Sequence, residues 1–191
     1  SRITNGRASM DREGRLAAKG RVDSRLLAKL LAHPYLSQAP PKSTGREAFG
    51  TKMLDELLNW QHTRRLSVED LLATCSRWTA EAVGTARRWI KGGIDDVIVG
   101  GGGVRNRAIM GHLTDIFAPV PVTSFEAHGW DSKALESVAF AVLAYQTVME
   151  QCGNVPSVTG AASPRILGCI VPSGPQWYEQ LRSRKGGSKK K

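Results

Sequence analysis

The sequence predicts an α/β fold, rich in helix and with a truncated sheet, and three observations lead there. Val97–Val99 is a β-branched run, too short for a helix and bounded by turn residues, which reads as a buried strand. Gly100–Gly103 follow, and then Ile109, Met110, Leu113, Ile116 and Phe117 recur at helical spacing. Several further stretches carry the helical period, whereas only Val120–Phe125 and Ile166–Val171 read as additional strands. Strands alternating with helices argue α/β, and three strands are too few for a full sheet.

In chain order, residues 1–20 are polar, with turn signals at Asn5-Gly6 and Asp11–Gly14 and little to pack. Asp23 is placed to cap a helix whose Leu26, Leu27, Leu30 and Leu31 form one stripe, stopped at Pro34. Pro40-Pro41 forces an extended approach to Thr44-x-x-Glu47, a capping box predicted to open a helix through Phe49, Met53 and Leu57. Ser67-x-x-Asp70 opens the longest predicted helix, 67–90, with Leu71, Leu72, Cys75, Trp78, Thr79, Ala82, Val83 and Ala86 toward the core. The strand at 97–99 and a helix over 105–117 come next, followed by a helix over 132–151 closed by Gly153.

At 191 residues the chain fits one domain able to bury roughly 70% of its unfolded surface. Of its formal charge of +10, six charges come from the last ten residues, Arg182 to Lys191. That Gly/Ser/Lys end reads as a solvated, disordered tail rather than a nucleic-acid interface, because no aromatic residue is interleaved with its charges. Residues 1–175 are therefore taken as the folded part and 176–191 as the basic tail. Cys75, Cys152 and Cys169 are odd in number and lack metal-ligand spacing, so they are expected to be reduced, buried thiols of a cytoplasmic protein. No stretch resembles a signal peptide, and no apolar run approaches the ~20 residues of a membrane span.

The chemistry centres on the glycine turn. Strand, glycines and helix start let a backbone approach a ligand closely and present unpaired N–H groups to a nucleotide. The dinucleotide fingerprint fails, since Asn106 stands where a third glycine belongs, although Glu126 lies ~20 residues on, where that fold wants an acid. No Gly-Lys-Ser/Thr follows, so the turn is not a P-loop. On the residues alone, a tight turn without a ligand stays open. Lys42, Thr44 and Arg46 either contact an anion or simply flank a capped helix. Glu136, in the first turn of its helix, is favoured there by the dipole whatever its function. His33, His62, His112 and His128 do not cluster, and no catalytic triad order, CxxC pair or HExxH occurs.

Taken together, the segments resemble the anhydro-N-acetylmuramic acid kinases, sugar kinases of the actin/hexokinase/Hsp70 superfamily. The resemblance runs through Asp11-x-x-Gly14, Ala17-x-Lys19-Gly20-x-Val22-Asp23 and His33-Pro34-Tyr35 to the distinctive run Pro40-Pro41-Lys42-Ser43-Thr44-Gly45-Arg46-Glu47-x-Phe49. It continues with Glu69-Asp70-x-x-Ala73-Thr74, Trp78-Thr79-Ala80, the glycine turn with Asn106, Gly129 and Leu135-Glu136-Ser137-Val138-Ala139-Phe140-Ala141. Asn154-x-Pro156-x-Val158-Thr159-Gly160-Ala161 and Leu167-Gly168 complete it, so that order and spacing hold to about residue 172.

The resemblance implies part of the second lobe of an actin-like (ribonuclease H-like) ATPase fold. The implied reaction depends on ATP and Mg2+: water opens the 1,6-anhydro bridge of anhydro-N-acetylmuramic acid while O6 takes the γ-phosphoryl group. The product would be N-acetylmuramic acid 6-phosphate, in peptidoglycan recycling. Gly101, Gly102, Gly103 and Asn106 carry over as the adenosine-binding turn, and Glu136 as a glutamate near the sugar. Lys42–Glu47 matches without an assignable role. The family's phosphate loop and base aspartate would lie upstream of Ser1, so no catalytic residue and no metal ligand is assigned here. By itself such a chain is expected to be inactive, marginally stable and prone to self-association, with activity returning where a partner chain supplies the first lobe. A separate first-lobe chain or a homodimer is the expected partner. The rival expectations are a non-catalytic nucleotide- or sugar-binding relic, a nucleic-acid binder using the lysine tail, and a dinucleotide oxidoreductase.

Overall fold

A computed structural model describes residues 2–4, 6, 8–171, 174 and 176. The expected strand's neighbour Pro172 and, apart from Gln176, the basic tail lie outside the described residues. The chain divides into two compact units, one up to Ser137 and one from Val138 onward.

In the first unit, Asp23 opens α1 (Ser24–Leu31) by accepting the Leu26 N–H at 2.6 Å. Pro34 then starts rather than merely stops a helix. His33 caps α2 (Pro34–Ser37), its Nδ1 accepting the Tyr35 N–H at 3.2 Å. The predicted capping box does not form. Gly45 stands at the start of α3 (Arg46–Phe49) without a side-chain cap, and Gly50 separates it from α4 (Thr51–Arg64). Gly50 leaves the helical region at φ -105 and ψ -141, and a Cβ there would strike the Arg46 carbonyl, so the break suits a glycine. Ser67 caps α5 (Val68–Gly84), accepting the Asp70 N–H at 3.0 Å, as its spacing predicts. The regular helix ends six residues early, and Thr85–Trp89 continue as a 3-10 turn.

Helix α5 is the spine of this unit. Its first half packs with α1, where Leu26, Leu30 and Leu71 form a buried cluster flanked by Met53, Leu57 and Trp60. Its second half meets α6 (Arg107–Phe117), where Ala80, Leu113 and Phe117 are buried beside Val97, Val99 and Val122. Of the predicted stripe, Leu71 is buried and Cys75 and Trp78 pack against the α1 cluster, while the fully buried face also takes in Ala73, Thr74, Ser76 and Ala80. Thr79, Val83 and Ala86 are exposed instead. The small residues win because they let α1 and α6 approach the helix closely.

β1 (Val97–Val99) and β2 (Val122–Ser124) pair in parallel, with Val97 opposite Val122, Ile98 opposite Thr123 and Val99 opposite Ser124. With α6 between them they make one βαβ unit. Ile98 is exposed on this short sheet. At the start of the chain, expected to have little to pack, Ala17 and Gly14 are buried and Ile3 joins the α1 cluster.

Helix α7 (Leu135–Val148) begins in the first unit and shows no buried residue. It is shorter than predicted and is not closed by Gly153, since Glu150 already takes a left-handed conformation at φ 57. In the second unit, α8 (Pro156–Thr159) is a single turn. The expected strand over 166–171 is absent. Gly168 at φ +81 breaks the extended run, and the Leu167 carbonyl accepts the Thr147 hydroxyl instead of a ladder partner. Two of the cysteines also depart from expectation: Cys152 and Cys169 are exposed, and only Cys75 is partly covered. No helix among the described residues is long and apolar enough to cross a membrane.

Candidate functional site

Parallel strands end side by side, and the space beyond their carboxyl ends is where α/β sheets take ligands. Here the ends of β1 and β2 carry the glycine turn and the Phe125–His128 turn respectively. Gly100 is the packed floor of this place. A Cβ on it would come within 2.7 Å of the Phe125 ring and 3.4 Å of Leu135 Cδ1. Three elements therefore converge on Gly100: the strand end, the turn after β2 and the start of α7.

The next three glycines are different. Gly101 needs its glycine because φ is +81, but Gly102 and Gly103 have ordinary φ, and a Cβ on any of the three would meet nothing within 4 Å. The 3-10 turn Gly102–Arg105 follows directly. Among the described residues neither backbone strain nor packing explains Gly102 and Gly103, and a bare main chain facing open space fits a flat ligand laid against it.

Asn106 has a job inside the fold. Its Oδ1 accepts the N–H groups of Ala108 and Ile109 at 3.0 and 3.2 Å and so caps α6. The Asp11–Gly14 turn sits on this cap, with Gly14 at φ +70 pressed against Asn106. Asp11 holds that turn by accepting the Leu16 and Ala17 N–H groups at 2.9 and 3.0 Å. The cap fixes where α6 starts and thereby where the glycine turn points.

Glu136 is exposed in the first turn of α7, next to the Leu135 that touches the floor at Gly100. The structure thus brings its chain position beside the glycine turn. The Lys42–Glu47 run lies elsewhere. Lys42 donates to the Tyr35 carbonyl at 2.9 Å and stands 4.5 Å over the Tyr35 ring, tying the proline-rich loop to α2. Thr44 is exposed and caps nothing. Among the described residues no cluster of three His, Cys, Asp or Glu side chains is arranged to hold a metal ion.

Sequence reasoning did not anticipate how firmly the turn after β2 is held. Thr123 Oγ1 and His128 Nε2 are 2.9 Å apart, with Asp96 Oδ2 at 3.9 Å from the same nitrogen. The Gly129 N–H donates to the Glu126 carbonyl at 3.1 Å, and the Ser132 N–H reaches Glu126 Oε1 at 3.3 Å. The Glu126 carboxyl is held below the usual glutamate range, chiefly by its own backbone N–H and then by the Ser132 side chain beside it. Only Glu126 had a signal in the sequence, its distance from the glycines.

The family model for anhydro-N-acetylmuramic acid kinase matches residues 2–173. Among curated relatives, the anhydro-N-acetylmuramic acid kinase of Clostridioides difficile (strain 630) is 39% identical over 166 residues, which is 85% of this chain and 43% of that protein. The enzyme of that name from Cupriavidus pinatubonensis is 44% identical over 162 residues, again 85% of this chain and 43% of the relative. The chain therefore spans less than half the length of the curated relatives it matches. A family model that matches residues 2–173, together with relatives at 39% and 44% identity, has one meaning: the chain belongs to the anhydro-N-acetylmuramic acid kinase family.

Proposed function

We propose that this chain is the portion of an anhydro-N-acetylmuramic acid kinase that holds the adenosine end of ATP and brings Glu136 to the sugar. The observation that carries the reading is the pair Gly102 and Gly103, glycines that neither backbone strain nor a contact among the described residues requires. A purine or ribose laid on that bare turn is what a Cβ would displace. Asn106, with its Oδ1 engaged in capping, acts by placing the turn; its amide N–H groups are the part left for a ligand.

The reaction of the whole enzyme would add water across the C1–O6 bond of the anhydro sugar and transfer the γ-phosphoryl group of ATP to O6, releasing ADP. Phosphoryl transfer of this kind rests on positioning and charge stabilisation. Mg2+ would supply neutralisation of the phosphate charge, and no residue of this chain is assigned to it. The base that activates water, and the loop that grips the phosphates, belong by this reading to the polypeptide that makes up the rest of the curated relatives. A parallel pair of strands with Ile98 exposed supports an actin-like lobe completed by that polypeptide, because parallel sheets are normally covered on both faces and extended beyond two strands. Use of ATP would place the reaction in the cytoplasm.

The test is Gly103→Ala. It meets open space and no positive φ, so thermal stability should hold within about 1 kcal/mol. ATP binding, measured by calorimetry on this chain, should fall at least about tenfold. Unchanged affinity would overturn the adenosine reading. A coupled ADP-release assay with the anhydro sugar, with and without the first lobe of a relative, tests the kinase reading. Turnover is expected only with the lobe supplied.

A further inference from the structure

We propose that a cleft on the outer face of α5 is a second binding site, shaped for a small aromatic carboxylate. It shares no wall residue with the glycine turn, so it stands whether or not that turn holds adenosine. The cleft has a volume of about 680 Å3, inside the range of roughly 300–1,000 Å3 usual for small-molecule sites. Four rings form its walls: Tyr35 on α2, Phe49 at the end of α3, Trp78 on α5 and Trp89 in the turn after it. Phe49 stands 5.6 Å from the Tyr35 ring and 5.7 Å from the Trp78 ring, so these three already brace one another. The helical period of α5 sends Thr79, Val83 and Ala86 toward a core, yet all three are exposed in this cleft, beside exposed Trp89 and Ile90. An open apolar face next to braced rings fits a flat apolar body.

One charge decides what that body carries. Lys42 is the only charged side chain on the wall, and no carboxylate shares the cleft with it. Its ammonium donates to the Tyr35 carbonyl at 2.9 Å and stands 4.5 Å over the Tyr35 ring, which leaves N–H groups for another acceptor. The Thr79 and Thr85 hydroxyls already donate, to the Cys75 and Ala82 carbonyls at 2.9 and 2.7 Å. The wall therefore offers a cation's hydrogen bonds and nothing to neutralise a bound cation, which selects an anion. Lys42 and Phe49 both belong to the Pro40–Phe49 run, so the site gives that run a role beyond tying its loop to α2. The same charge argues against a second copy in the cleft. A twofold contact would bury a Lys42 from each copy with no carboxylate on the wall to meet it.

The experiment titrates 2-naphthoate and the uncharged 2-naphthalenemethanol into the chain by calorimetry, with sedimentation run alongside. The wild-type chain should bind the acid about tenfold more tightly than the alcohol, the range expected for a hydrogen bond to a charged group. Lys42→Met keeps an apolar stem and should remove that preference. Because Lys42 also holds its loop, Thr79→Glu is the second variant: it sets a carboxylate on the exposed wall of α5 without touching the loop. It should weaken the acid at least about tenfold and leave the alcohol nearly unchanged. Equal wild-type affinity for acid and alcohol overturns the proposal, and so does a wild-type chain that binds neither. Acid binding that Thr79→Glu does not weaken puts the naphthoate on another apolar face and overturns it too. A self-associated wild-type chain that Thr79→Glu turns into a monomer would show a second copy in the cleft, which also overturns it. None of these outcomes bears on the glycine turn.

Discussion

Gly14 is pressed against Asn106 so closely that a single added carbon would have no place: a Cβ there would run into the Asn106 carboxamide and lie 3.2 Å from the Ala108 nitrogen. A turn near the start of the chain is thus seated on the cap of the helix that follows the glycine turn, some ninety residues later. Gly14→Ala combines a collision with a left-handed φ of +70, so a loss of about 1–3 kcal/mol in stability is expected. Gly6 has a similar φ of +80 but open space around it. Gly6→Ala should therefore cost less, about 1 kcal/mol. Denaturant melts of the two variants measure the difference, and weakened ATP binding in Gly14→Ala would show that the cap aims the glycine turn.

The same logic applies where the chain enters α1. A Cβ on Gly20 would collide with the Glu69 carbonyl and approach the Asp70 nitrogen to 2.6 Å. Beside it the Thr74 hydroxyl accepts the Asp23 N–H at 2.9 Å and donates to the Asp70 carbonyl at 2.7 Å, fully buried. Thr74→Val keeps the shape and orphans the Asp23 N–H, for an expected loss of about 1–3 kcal/mol. Gly20→Ala lifts the same loop off α5. The double variant should then lose less than the sum of the singles, as sites sharing one contact do. Strict additivity in a double-mutant cycle would separate the two contacts.

Asp70 predicts the acid limb of the stability profile. The Arg21 N–H at 2.6 Å, followed by the Ser67 side chain, holds its carboxyl below the ordinary aspartate value of about 4. A depressed carboxyl stabilises the fold above its unfolded pKa, and that contribution is lost as pH falls through the lower folded value. Asp70→Asn keeps an acceptor but not the charge. The expected result is a smaller decline in melting temperature between pH 5 and pH 3 in the variant than in the wild type, with parallel curves as the opposing outcome.

What could be read in advance followed from local rules. Val97–Val99, the Asp23 cap, the Ser67 cap and the helix after the glycine turn depend on a few neighbouring residues, and all four form. One failure is just as local: Thr44-x-x-Glu47 has the pattern of a capping box, yet Gly45 takes the position before α3 and no side chain caps it. The other failures depend on distant residues. The inward face of α5 is set by what α1 and α6 require, which no periodicity within α5 reveals. The polar start of the chain gave no sign that Gly14 would be buried, because its partner Asn106 lies across the fold. At the candidate site, the open glycines were visible in the sequence, whereas the floor under Gly100 needed the structure to bring Phe125 and Leu135 together.

The cysteines give the final test, since their environments differ where the sequence suggested uniformity. Cys75 lies on α5 against the α1 cluster, and burial pushes its thiol up to about 11. Only about one in a thousand such groups is a thiolate at pH 8, and the thiolate is the form that reacts. Cys152 and Cys169 are exposed in the second unit. Iodoacetamide at pH 8 should therefore modify two thiols promptly and leave Cys75 intact until denaturant is added, with peptide mass spectrometry identifying each site. Labelling of Cys75 at the pace of the other two would mean that α5 separates from α1 on the timescale of the reaction. The spine that positions α6 and the glycine turn would then be open for much of the time.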